Sequence, residues 1–165
     1  MPEKETIERA KKDKRMGKAP STQAGEFVRE EMHHIREGKH GARSTKQAIA
    51  IGLSKARRAG VHLPPPKKGQ VSEKTRRSAE RAYAVGRRET KPSARRSQGR
   101  RRALKREGRS AASRSALSRQ ARSAARTRTR VQRSAAARKA VRTKGHVRLS
   151  AAARKAARTR ARRRA

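Results

Sequence analysis

The densest grouping of bulky apolar residues in this chain is one short stretch, and that limits what it can fold into. Between Ser21 and Leu63 lie nine of them: Phe27, Val28, Met32, Ile35, Ile49, Ile51, Leu53, Val61 and Leu63. Downstream the sequence is dominated by arginine, alanine and serine. Alanine buries little area, so the 31% hydrophobic content overstates the core that can be built, and aromatics are only 1%. Fixing the backbone costs about 1–2 kcal/mol per residue, offset chiefly by burying apolar surface. The expectation is therefore a mostly α protein. A small N-terminal helical module of two to three short helices precedes a largely disordered or conditionally helical Arg/Ala/Ser-rich tail.

Local signals place the helices. The first is expected over roughly Glu3 to Met16, with acidic residues near its positive end. The second follows Ser21 or Thr22. Val28, Met32 and Ile35 recur at i, i+4, i+7 on one face, and Gly38 stops it. The third spans Thr45 to Ala59, with Ser44 and Gln47 in capping-box positions, Gly60 as the C-terminal cap and Pro64–Pro66 forbidding continuation. Ala48, Gly52, Ala56 and Ala59 are small enough for a partner backbone to approach, which leaves residues 21–63 open to a homodimer or a protein partner. A weaker helical pattern covers 72–88, and residues 89–99 read as linker.

The net charge of +39 is unevenly placed. Residues 1–66 carry 15 basic and 8 acidic residues, whereas 67–165 carry 36 and 4. The division expected is 1–66 as the helical module, 67–107 as a basic linker, and 108–165 as the tail. No acidic residue follows Glu107, and from Gly108 onward there are 17 arginines against 3 lysines. Guanidinium matches phosphate in a bidentate fork and keeps its charge when desolvated. Such a field draws polyanions and releases their counterions on binding.

The tail repeats. "SRQARSAART" begins at Ser118, "SAAARKAVRT" at Ser134 and "SAAARKAART" at Ser150, a spacing of 16 residues. Each copy sets two arginines at i, i+4: Arg122 and Arg126, Arg138 and Arg142, Arg154 and Arg158. On a helix each pair shares a face. Repulsion between neighbouring arginines predicts a weak helix in water that phosphate would steady. In the N-terminal module, "KHGARSTK" with Arg43 and Lys46 suggests a phosphate site at the start of the third helix, and Lys55, Arg57 and Arg58 add charge to the same unit.

Other chemistry is weakly represented. The chain has no cysteine, which excludes disulfides and thiolate ligands. His33, His34 and His40 lie near Glu30, Glu31 and Glu37, but adjacent histidines on a helix point about 100° apart, so no metal site is expected. No nucleophile–base constellation or phosphate-cradling glycine motif is present, so the reading is of a non-enzyme without a cofactor. The charged N-terminus lacks a signal-peptide core, and no run is long and apolar enough for a membrane span; the expectation is a cytoplasmic protein that does not bind membrane.

The segments "EFVREEM", "GKHGARSTKQAIAIGLSKARRAG" and "SEKTRRSAERAY" resemble a family of small basic bacterial proteins of unknown function, often labelled DNA-binding or plasmid-stabilisation proteins. The tail separately resembles the Ala/Lys/Arg-rich tails of bacterial histone-H1-like proteins, though it prefers arginine. The family resemblance implies bacterial origin and brings no site residues; the segregated charge and the repeat make the expectation a nucleoid-associated protein. Charge and repeats point to largely sequence-nonspecific DNA binding. Scarcity of aromatic stacking platforms favours duplex DNA over RNA. The alternatives are a regulatory or plasmid-maintenance interaction module with a localising tail, and an RNA- or ribosome-associated protein.

Overall fold

The computed structural model describes residues 2–88 and 93–162. Among these residues are eight α-helices and one short 3-10 turn. They are α1 (Lys4–Arg15), α2 (Pro20–Arg36), α3 (Thr45–Arg58), α4 (Glu73–Arg88), α5 (Ala94–Lys105), the turn Ser110–Ala112, α6 (Arg114–Arg126), α7 (Arg130–Lys144) and α8 (His146–Arg162). The chain divides into two compact units, Met1–Gln120 and Ala121–Ala165, with the boundary inside α6.

Two small cores hold the first unit together. In one, Met32 and Ile35 of α2 meet Ala48 of α3, Ala42, and Ala111 and Ala112 from far along the chain. In the other, Phe27 and Ala24 of α2 meet Ala10 of α1, Ala56 of α3 and Val61. The small residues of α3 admit α2 of the same chain: a Cβ on Gly52 would lie 2.7 Å from the Val28 Cα. Local chemistry sets the ends of α3. Ser44 Oγ accepts from the Gln47 amide at 3.2 Å, while Gln47 Oε1 accepts from the Arg43 amide at 2.7 Å. Gly60 takes φ +83° just beyond the C-terminal end.

Residues 104–117 pack onto this module. The Gly41 amide donates to the Leu104 carbonyl at 2.9 Å and the Ala42 amide to Gly108 at 3.1 Å. Arg36 Nε donates to the Ala112 carbonyl at 2.9 Å, and Thr45 Oγ1 to Ala111 at 2.7 Å. Glycine is required at position 41, where a Cβ would fall 1.9 Å from the Glu107 carbonyl oxygen.

The expected disordered or conditionally helical tail is corrected by three consecutive helices, α6 to α8. Alanine and arginine are among the strongest helix formers, whereas a like-charge i, i+4 pair costs only about 0.2–0.5 kcal/mol. Propensity summed over each segment outweighs that repulsion. The expected small module of two to three helices is likewise corrected, since α4, α5 and the following turn join the first unit. The linker read over 89–99 is helical from Ala94 onward, and residues 89–92 lie outside the described residues.

Candidate nucleic-acid interface and a buried ionic cluster

The 16-residue repeat is a repeat of helices, the first two capped by a side chain. α6, α7 and α8 begin at Arg114, Arg130 and His146, each 16 residues after the last. The residues preceding them are Ser113, Thr129 and Gly145, all types favoured at a helix N-cap. Ser113 Oγ accepts from the Ala116 amide at 3.2 Å. Thr129 forms a full capping box with Gln132, each side chain taking the other's backbone amide. Gly145 takes φ +74°, a conformation other residues rarely adopt, and separates α7 from α8.

This phasing puts the paired arginines in the same place three times. Arg122 and Arg126, Arg138 and Arg142, and Arg154 and Arg158 are each the ninth and thirteenth residues of their own helix. All six are exposed. No residue of α7 or α8 is buried, and no Asp or Glu follows Glu107 to compete for these guanidiniums. Because each repeat has its own helix, the rotation of about 160° that one unbroken helix would impose over 16 residues does not apply. Other basic side chains, Arg130, Arg133, Lys139 and Lys144 of α7 among them, fall at other angles around the helix. Such a helix offers charge on several sides rather than a single reading face.

The basic residues expected in the N-terminal module divide into two groups. Arg43 and Lys46 are exposed. Lys55 and Arg57, expected to face phosphate, do not. Lys55 Nζ lies 2.7 Å from Glu31 Oε2 and 3.2 Å from Glu30 Oε1. Arg57 is buried, and its Nε donates to the Leu63 carbonyl at 3.0 Å, so it fastens the proline segment back onto α3. Burial lowers the pKa of Arg57. Arg58 is lowered by burial first and by the like charge of Arg100 second; its Nη2 donates to Ser54 Oγ at 2.7 Å. The turn before α3 is already engaged through the Ala42 and Arg43 amides and the Thr45 hydroxyl, which removes much of the phosphate site read there.

A second constellation lies inside the first unit. Glu30 and Glu31 of α2 have side chains 1% and 0% exposed. Around them stand Lys55 of α3, His34 of α2 and His40 of the α2–α3 loop. Glu3, at the start of α1, joins through two contacts: its amide donates to Glu30 Oε2 at 3.1 Å, and its carboxylate lies 2.8 Å from His34 Nε2. The hydrogen bond from His34, followed by that from Lys39, holds the Glu3 carboxyl below the usual value for a glutamate. The adjacency of His33 and His34 argued against shared ligation. The structure turns His33 to solvent and groups Glu31, His34 and His40 instead, with one ligand atom of each within 4.8 Å of the others. The readable trace is Glu31-x-x-His34, which puts both side chains on one helical face.

Residues 18–68 are similar to a family of unknown function (DUF6496). The matched stretch is under a third of the chain and contains α2, α3 and all of Glu30, Glu31, His34, His40 and Lys55. The arginine repeats fall outside it. The match carries no statement about DNA binding or plasmid maintenance. No curated protein and no solved structure matches the chain. No helix among the described residues is long and apolar enough to cross a membrane.

Proposed function

We propose that this chain is a non-enzymatic, nucleoid-associated protein of the bacterial cytoplasm that binds duplex DNA with little sequence specificity. The observation that supports it is the threefold recurrence of an exposed arginine pair at fixed positions of three consecutive helices, in a stretch without acidic residues. Each pair reaches phosphates from one face of its helix, and releasing counterions from the duplex supplies the affinity. Base readout is not required by this arrangement; phosphate contacts position a protein without conveying sequence. Arg43 and Lys46 add exposed charge in the first unit.

Removing 121–165 tests the reading. The cut belongs after Gln120, because a cut at Lys105 would also remove the partners of Arg36 and Thr45. The shortened protein should keep its fold and lose at least about tenfold in duplex affinity at moderate salt. Unchanged affinity would overturn the proposal. Treating a cell extract with DNase or RNase before co-purification separates DNA from RNA: loss of the bound nucleic acid only with RNase would replace duplex DNA by RNA.

A further inference from the structure

We propose that Glu31, His34 and His40 form a binding site for a divalent first-row transition metal of the Zn²⁺ class, independent of the arginine helices. The argument starts from the imidazole nitrogens. His40 Nδ1 lies 3.1 Å from the Gly41 carbonyl, which can only accept, so Nδ1 carries the proton. In the neutral ring Nε2 is then left with a lone pair, and it points at Glu31 Oε1 from 3.3 Å. His34 repeats the arrangement in the other tautomer. Its Nε2 donates to the Glu3 carboxylate at 2.8 Å, which leaves Nδ1 unprotonated 3.9 Å from Glu30 Oε1. In their neutral forms the two rings thus turn a lone pair inward, His40 Nε2 toward Glu31 and His34 Nδ1 toward Glu30, an arrangement that a cation can bridge. The outward nitrogen of each ring is held by an oxygen acceptor, as in metal-ligating histidines generally.

The carboxylates give a second, independent indication. Neither oxygen of Glu31 has a hydrogen-bond partner among the described residues, although its side chain is 0% exposed. Lys55 and His40 approach it closely without hydrogen-bond geometry. Lys55 supplies one positive charge against the two carboxylates of Glu30 and Glu31. A divalent ion would supply what is missing, since an uncompensated buried charge is costly.

Dimensions and donor type fit. Ligands of a tetrahedral Zn²⁺ lie about 2.0–2.2 Å from the ion, hence about 3.4 Å from each other. The His40–Glu31 separation of 3.3 Å already matches this, and the ring planes of His34 and His40 meet at 86°. Two imidazoles and a carboxylate suit zinc, cobalt or nickel better than calcium or magnesium. Bound there, the ion would pin the α2–α3 loop, which bears Gly41 and Ala42 and through them the 104–108 segment, to α2.

The full-length protein, stripped with chelator, should bind one Zn²⁺ by titration calorimetry and show a raised Tm. Co²⁺ in its place should show the visible absorption of a tetrahedral site. His40→Gln leaves the buried carboxylates in place and should weaken Zn²⁺ by about tenfold or more, with the Co²⁺ spectrum lost. His33→Gln, one residue from the site and exposed, should change neither. Glu31→Gln is informative only if the variant folds, so His40→Gln is the deciding variant. Absence of binding, or binding indifferent to His40→Gln, would overturn the proposal and leave the cluster as an ion network neutralised by protons.

Discussion

At the scale of single residues, Lys55 shows how burial reassigns a charge. In the sequence it is one lysine among 51 basic residues and reads as solvent-facing. In the fold its ammonium is the cation nearest two carboxylates that have lost their water. Lys55→Met should therefore destabilise the first unit by about 3–5 kcal/mol, as breaking a buried ion pair does, which urea denaturation of the full chain would measure. A loss under about 1 kcal/mol would mean that the carboxylates are compensated in another way. Glu3 makes a prediction about pH. Its folded pKa is depressed, so its contribution is present above the usual glutamate range and disappears as pH falls through the lower folded value. Glu3→Gln should remove that part of the acid-side loss of stability while leaving the curve at neutral pH flat. The grouping of Glu31 with His34 was legible as an i, i+3 spacing on α2. The arrival of His40 was not, because the loop between Gly38 and Ser44 takes its course from contacts with residues 104–108, more than sixty positions away.

At the scale of elements, caps and breakers were the readable part. Ser44, Gly38, Gly60 and the proline run place the ends of α2 and α3 within a residue or two of where they fall. The tail helices were not legible because arginine repulsion masks the helix propensity of alanine and arginine, and because Ser113, Thr129 and Gly145, which precede the helices, lie outside the ten-residue core of each repeat. Extending the repeat to its full 16 residues brings those caps into register and makes each unit one helix. No residue of α7 is buried, so its caps matter more than they would in a packed helix. Thr129→Ala removes one half of the capping box and should cost about 1 kcal/mol of helix stability. Faster amide exchange at Gln132 and a drop in helical circular dichroism, with the first unit unaffected, would register it. An unchanged exchange rate would mean that the cap contributes nothing.

At the scale of the whole molecule, the chain separates two physical problems. The first unit holds all 12 acidic residues, eight of them in the first 66 positions together with most of its bulky apolar residues, which build two small cores and an internal ion network. No residue of α7 or α8 in the second is buried, and the paired arginines there are exposed at matching positions of each helix. Charge segregation is visible in the sequence, but it falls near residue 66, whereas the first unit runs on to Gln120. The packing of residues 104–117 onto α2 and α3 was hidden, since Ala111 and Ala112 look no different from the alanines of the exposed repeats. The central claim is that the six paired arginines bind phosphate. It is tested most directly by measuring duplex DNA affinity between about 50 and 200 mM salt for the native chain and for a variant carrying Arg→Gln at 122, 126, 138, 142, 154 and 158. Each phosphate neutralised contributes about −0.9 to the slope of log K against log salt, so the native slope should be steep and the variant's shallower by up to about 5. Equal slopes and equal affinities for the two proteins would contradict the account.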